Sequence, residues 1–132
     1  MNYLVPPPVH KVKKIPLEKV SEKRLFTGIR SRGGECYKFS SPQRRGVSDR
    51  IVIIYGMIIF VEMKRQGVIT LSKKQTDFKK ECTKQCTHFC TVSGHDGVDE
   101  FLKFVDSKRG LIEYIRLAIN ALFPLFNDRV FK

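Results

Sequence analysis

No apolar run in this chain approaches the roughly 20 residues that a membrane-spanning helix needs. The longest, Ile51 to Val61, has 11 residues, and Glu113 and Arg116 interrupt the apolar stretch after Gly110. Met1 to Lys14 has no apolar centre and carries Pro6, Pro7 and Pro8, which argues against a secretory signal. A second C-x₂₋₄-C pair is missing too: Cys82 and Cys86 fit one helix face, but Cys90 falls on the next strand near His88, so a zinc site is not expected. The four cysteines read instead as reduced thiols, two or three of them facing the core. No internal repeat and no lipidation signal is visible, and His95-Asp96 reads as a turn. Acidic residues are scarce, 13 against 25 basic ones. The expectation is a soluble, intracellular protein with no membrane attachment and no organic cofactor.

What is there fits one domain. A chain of 132 residues holds a single modest core, and 42% apolar residues is an ordinary globular share. A multidomain enzyme, a collagen-like chain and an acidic binding tail are thereby excluded. The net charge is +12 and unevenly spread, with 12 basic and 4 acidic side chains in residues 1–50 and 13 and 9 in the rest. A small domain this basic attracts polyanions, of which nucleic acid is the commonest in cells. An anionic membrane surface is the competing partner, but the lipid anchor or basic amphipathic helix that usually accompanies it is missing.

Residues 1–15 read as a basic arm, 16–106 as the domain core and 107–132 as a C-terminal helical extension. Pro16 suits a first helical position, and Leu17, Val20, Leu25 and Ile29 make an approximately helical stripe that Gly33-Gly34 ends. Glu35 to Phe39 alternates like a short strand, and residues 40–48 form a basic loop rich in turn formers. Arg50 to Ile54 and Met57 to Met63 are β-branched runs around Tyr55-Gly56, which predicts a hairpin with a two-residue turn, although Tyr is a poor first turn residue. Both runs are apolar on both faces, as for central strands covered above and below by helices. A helix from Ser72 to about Gln85, a strand from His88 to Val92, and helices over Val98–Val105 and Leu111 to about Phe123 complete the order α-β-β-β-α-β-α-α.

The hairpin carries a geometric consequence. A two-residue turn pairs Ile54 with Met57 and, five steps down the ladder, Asp49 with Glu62. Opposed residues have Cβ atoms about 4.5–5.5 Å apart on one face, and Lys64 projects from that face too. Two carboxylates so close repel unless a cation lies between them or one is protonated. Oxygen ligands beside phosphate suit Mg²⁺ or Mn²⁺. Such an ion acidifies a bound water and polarises a phosphoryl oxygen, and Lys64 would steady the developing charge. The plain alternative is a turn aspartate and a surface Glu62–Lys64 ion pair.

Gly46-Val47-Ser48-Asp49-Arg50, Phe60-Val61-Glu62-Met63-Lys64 and Leu71-Ser72-Lys73-Lys74-Gln75, in that order, resemble the VRR-NUC branch of the PD-(D/E)xK nuclease superfamily. Gly33-Gly34 followed by Lys38 resembles the segment such domains place ahead of the acidic hairpin. The likeness covers roughly residues 18–105 and departs at Ser48, where proline is usual. It implies an α/β, restriction-endonuclease-like αβββαβ core with a mixed sheet and an extra C-terminal helix. It implies Asp49 and Glu62 as metal ligands, with the Met63 carbonyl joining them, and Lys64 as catalytic lysine. Gln75 and Glu22 fall where the family has further site residues; Ser72 and Gln75 also make a capping box, and Glu18 is one turn from Glu22.

The reading is a metal-dependent DNA endonuclease using Mg²⁺ or Mn²⁺. Lys38, Arg44, Arg45 and Arg50 would contact the phosphate backbone without reading sequence. Stand-alone members of the family resemble junction resolvases, which implies a homodimer acting on four-way junctions or other branched DNA, with Ile112, Ile115, Leu122 and Phe123 at the interface or in extra core. A non-catalytic nucleic-acid-binding module of the same fold is the alternative.

Overall fold

The computed structural model describes residues 18–122. The expectations for the basic arm, Pro16, Leu17, Phe123 and the stop near Pro124 lie outside them. Helix α1 (Glu18–Arg30) is followed by β1 (Glu35–Lys38), β2 (Arg50–Ile54), β3 (Met57–Lys64), α2 (Lys73–Lys84), β4 (His88–Ser93) and α3 (Gly94–Leu122). The strands form one mixed sheet in the order β1-β2-β3-β4, antiparallel except for the parallel β3–β4 pair. This is the expected αβββαβ order with a helix added.

Helix α1 buries Ser21, Leu25 and Ile29, residues one turn apart on a single stripe. Val20, expected in that stripe, lies a third of a turn away and is half exposed. Gly33, at φ 78°, closes the helix by donating to the Arg30 carbonyl (3.0 Å) while the Gly34 N–H reaches the Ile29 carbonyl (3.1 Å).

The β2–β3 hairpin has the register expected from its turn, Ile54 facing Met57 and Arg50 facing Val61. Tyr55 (φ 51°) and Gly56 (φ 82°) both take the left-handed conformation that a type I′ turn requires. Contacts to α3 hold the tyrosine there: its hydroxyl donates to Asp106 (3.3 Å), and the Arg109 guanidinium lies 5.3 Å from its ring centre.

Helices α1 and α3 cover one face of the sheet. Leu25, Ile29, Val98, Phe101, Leu102 and Val105 pack there on Val52, Ile54, Ile59, Val61, Met63 and Val92. On the other face, Phe78 of α2 packs edge-on to Phe60 and Phe89 and tilted to Phe39. Full coverage of both faces was expected. One short helix is too small for that, and Tyr37, Ile53 and Ile58 remain about half exposed beyond it.

The two helices expected near the C-terminus are one, the 29-residue α3. Gly110 costs an exposed helix only about 1 kcal/mol, and no proline interrupts residues 94–122. An Arg109–Glu113 pair (3.4 Å) spans the glycine. The helix also begins earlier than expected. His95-Asp96 is its first turn, where Gln66 donates to the Asp96 carboxylate (2.9 Å), and not a free loop. Burial along α3 fades after Val105, and no described helix is long and apolar enough to cross a membrane.

Helix α2 ends with Cys86 at φ 53°, its N–H on the Thr83 carbonyl and that of Thr87 on the Cys82 carbonyl. Glycine normally fills this left-handed position, because a Cβ there costs roughly 1–2 kcal/mol. Cys86 is exposed, so Cys86→Gly removes strain and little else. The variant is expected to unfold a few degrees higher by calorimetry, and an unchanged or lower midpoint would refute the account.

Candidate active site

Strand pairing and one crossover bring the site together. Because β2 and β3 run antiparallel, the start of β2 lies against the end of β3, and Asp49 comes beside Glu62. Because β3 and β4 are parallel, α2 must begin just past the end of β3, which returns Ser72 and Gln75 to the same place.

Asp49 precedes β2, and its Oδ2 accepts from the Met63 N–H at 2.8 Å. Glu62 is 2% exposed. Its Oε1 accepts from Lys64 Nζ at 3.1 Å and from Gln75 Nε2, while its Oε2 is buried without a partner. Lys64 Nζ donates also to Gln75 Oε1 (3.1 Å), so the ammonium sits between a carboxylate and an amide. The pair is not a surface ion pair: the Lys64 side chain is 17% exposed and that of Glu62 3%.

Gln75 both caps α2 and touches Glu62 and its neighbour Lys64. Its backbone N–H donates to Ser72 Oγ (3.3 Å), and its Oε1 accepts from the Ser72 N–H (2.9 Å), completing the capping box. The same amide meets Glu62 and Lys64, so the cap of α2 fixes the side chain that orients the lysine.

Burial pushes both carboxyls above their ordinary range. For Asp49 the Met63 N–H opposes burial and the charge of Glu22 adds to it. For Glu62 the charge of Asp49 adds to burial and Lys64 opposes it. The two acids therefore repel each other in a poorly solvated place. Among the described residues, no three His, Cys, Asp or Glu side chains converge as a metal cluster. The oxygens on offer are these two carboxylates and backbone carbonyls.

Glu22 reaches the neighbourhood from α1 but is engaged by Arg50, which donates to its Oε2. Glu18 raises the Glu62 carboxyl as Glu22 raises that of Asp49, so both helix glutamates act on the pair. Arg50 was expected to face DNA; its side chain is 17% exposed and bound to Glu22, because the strand alternation turns it toward α1. Arg44 is likewise tied down, to Glu81, with its guanidinium 5.8 Å from the Phe78 ring centre. Arg45 is exposed in the loop, and Lys38 is exposed at the end of β1 opposite Arg50. Met63 contributes backbone only, its side chain being core.

Ser48 and Lys74 gained no role from the sequence. Ser48 is fully buried and donates to the Arg50 carbonyl (3.3 Å), which holds the approach to Asp49 where proline would stiffen it. Lys74 is an ordinary helix lysine in sequence, and only the folded loop gives it a neighbour in Gly46.

This sheet and its helices share the fold of a solved VRR-NUC domain. A solved "VRR_NUC domain" superposes with a TM-score of 0.61 at 24% identity, covering 65% of this chain and 94% of that one. In sequence, the chain is 55% identical over 47 residues to "Putative nuclease p44" of Acyrthosiphon pisum secondary endosymbiont phage 1. That match takes in 35% of this chain and spans half the length of the phage protein. No family model matches the chain.

Proposed function

We propose that the protein is a metal-dependent endonuclease that hydrolyses phosphodiester bonds in DNA, with four-way junctions or other branched DNA as preferred substrate. The observation that carries this is the pairing of half-buried Asp49 with buried Glu62, and Lys64 held between Glu62 and Gln75. The likeness in fold to a VRR-NUC domain and the sequence likeness to a phage protein named as a nuclease support it.

The residues fit a hard divalent cation. They offer oxygen donors, an unpartnered buried Glu62 Oε2, and two repelling carboxyls that a cation between them would relieve. Asp49, Glu62 and the Met63 carbonyl would hold Mg²⁺ or Mn²⁺. When bound, the ion supplies Lewis acidity and an acidified water. The Lys64 ammonium, fixed by Gln75, donates to the negative charge that develops at the attacked phosphate. Glu22 and Arg50 buttress Asp49 from the α1 side. Exposed bases such as Lys38 and Arg45 hold the backbone without reading sequence.

Paired cuts across a junction call for a symmetric homodimer. Leu111, Tyr114, Ile115, Ile119 and Leu122 of α3 are 43–75% exposed, which suits an interface and not extra core. They adjoin an apolar cleft of about 460 Å³ at the end of the sheet away from Asp49. Light scattering should give twice the chain mass, and Ile115→Glu should halve it; a monomeric wild type would remove the dimer from this reading. The function itself is tested by offering a labelled four-way junction and a linear duplex of the same sequence with Mg²⁺, Mn²⁺ or EDTA. Metal-dependent cutting of the junction alone supports the whole reading. Equal cutting keeps the chemistry and discards the preference, and tight binding with no cutting supports a non-catalytic binding module.

A further inference from the structure

A cleft of about 400 Å³ separates the 40–48 loop from the start of α2, lined by Gln43, Arg44, Arg45, Lys74 and Asp77. We propose that it is a phosphate subsite, holding a backbone phosphate of the nucleic-acid strand that neighbours the one being cut. That one strand is cut rests on the nuclease reading; the subsite itself does not.

Charge accounting selects its ligands. Arg44 donates to Glu81, stacks near Phe78, and lies close enough to Asp77 for that carboxylate to favour its charged form. Arg44 and Glu81 thus satisfy one another and act as a wall, which leaves one carboxylate, Asp77, in the lining against two further cations. Arg45 and Lys74 are exposed and make no ion pair among the described residues. Two uncommitted cations facing one cleft hold an anion, and Gln43 adds a neutral donor.

The cleft is also preformed. Gly46, at φ 85°, lies so close to α2 that a Cβ on it would stand 2.4 Å from the Lys74 Cβ and 2.7 Å from the Lys74 carbonyl carbon. The Arg44 N–H is fixed as well, donating to Ser41 Oγ at 3.2 Å. Loop and helix are therefore one unit, and little ordering remains for a ligand to impose.

Its location links it to the site. Lys74 is bonded to Gln75, whose amide contacts Glu62 and Lys64. Arg45 precedes Asp49 by four residues, a span of at most about 14 Å. A strand whose phosphate rests at Asp49 and Glu62 brings an adjoining phosphate within reach of both cations.

The test measures binding of the full chain to a labelled linear duplex in EDTA by fluorescence anisotropy, across a series of salt concentrations. Arg45→Gln with Lys74→Gln is compared with Lys84→Gln with Lys103→Gln, which removes the same charge elsewhere on exposed helix surface. The subsite pair should weaken binding about tenfold and lower the salt slope by about 0.9, the value for one phosphate. The control pair should change binding by less than about twofold. A duplex with single neutral methylphosphonate linkages should lose affinity for wild type at one linkage and not for the subsite variant. Equal weakening by both double variants, or no sensitive linkage, overturns the proposal. Because EDTA prevents cutting, absence of cleavage elsewhere leaves this result standing, and active enzyme whose two variants bind alike loses only the subsite.

Discussion

Asp49→Asn should lower metal-dependent cleavage by about 10³-fold or more, with Lys64→Ala costing about 10²–10³-fold. The two losses have different origins. Asparagine keeps an oxygen to accept from the Met63 N–H, so the hairpin end is undisturbed, but it removes one of the two charges proposed to hold the cation. Alanine at 64 removes the ammonium that Glu62 and Gln75 hold in place and leaves Glu62 without its cation. Gln75→Ala, which removes an orienting group and a helix cap but no charge, should cost only about 10–100-fold in rate. It should also lose about 1 kcal/mol of stability with the cap, a loss that Asp49→Asn does not share. Single-turnover cleavage with circular dichroism on the same samples measures all three. An Asp49→Asn protein that cuts at more than a tenth of the wild-type rate would remove the pair from the centre of the chemistry.

Divalent cation should stabilise the protein strongly at neutral pH and weakly in acid. Burial holds the Asp49 and Glu62 carboxyls above the ordinary values of 3.8 and 4.5, with the charge of Glu22 adding to it at Asp49 and that of Asp49 adding to it at Glu62. Groups raised in this way bind protons more tightly in the folded state than in the unfolded one. Their contribution to stability is therefore fully present below the unfolded values and is lost as pH rises through the folded ones. As pH rises the metal-free protein carries more unfavourable charge at this pair. Mg²⁺ at a hundred times its Kd then contributes about 2.7 kcal/mol, which for a domain of this size raises Tm by about 10 °C. At pH 5 protons compete for the same oxygens and the increment shrinks. Asp49→Asn should raise the metal-free Tm at pH 7.5 by relieving the repulsion, and should abolish the response to metal.

The exposed carboxyls of Asp99, Asp106 and Glu81 run the other way. Arg24, Arg32 and Arg44 hold them below the usual range, so their small contribution is present at neutral pH and lost in acid. They are common to wild type and Asp49→Asn, and the difference between the two proteins cancels them. Thermal scans in EDTA and in Mg²⁺ at pH 5 and 7.5 decide the matter. An equal metal shift at both pH values, or one that survives Asp49→Asn, would refute the linkage.

Local rules explain why so much of the site was legible. Hairpin register follows from the turn: once Tyr55-Gly56 is a two-residue loop, every pair down to Asp49 and Glu62 is determined. A capping box needs only four residues, and Ser72 to Gln75 supplied them. The aromatic contacts of Phe78, the commitment of Arg44 to Glu81 and the capture of Arg50 by Glu22 join residues 11 to 39 positions apart, and no local pattern reports them. The same limit split α3 in two. Gly110 reads as a break when its neighbours are unknown, and a modest helical penalty is readily overcome when the preceding half is anchored by Val98, Phe101, Leu102 and Val105.

By itself the sequence determined the element order as far as β4, the hairpin pairing that sets Asp49 beside Glu62, and the basic character that favours a polyanion. These depend on periodicity, turn chemistry and composition, all of which act between near neighbours. Only the tertiary structure decided which cations are free. Ion pairs form wherever folding brings opposite charges together, so Arg44 and Arg50 became struts while Arg45 and Lys74 were left facing a cleft. It also decided that the capping amide of α2 is the amide that holds Lys64, because a parallel strand pair obliges the crossover helix to start where β3 ends.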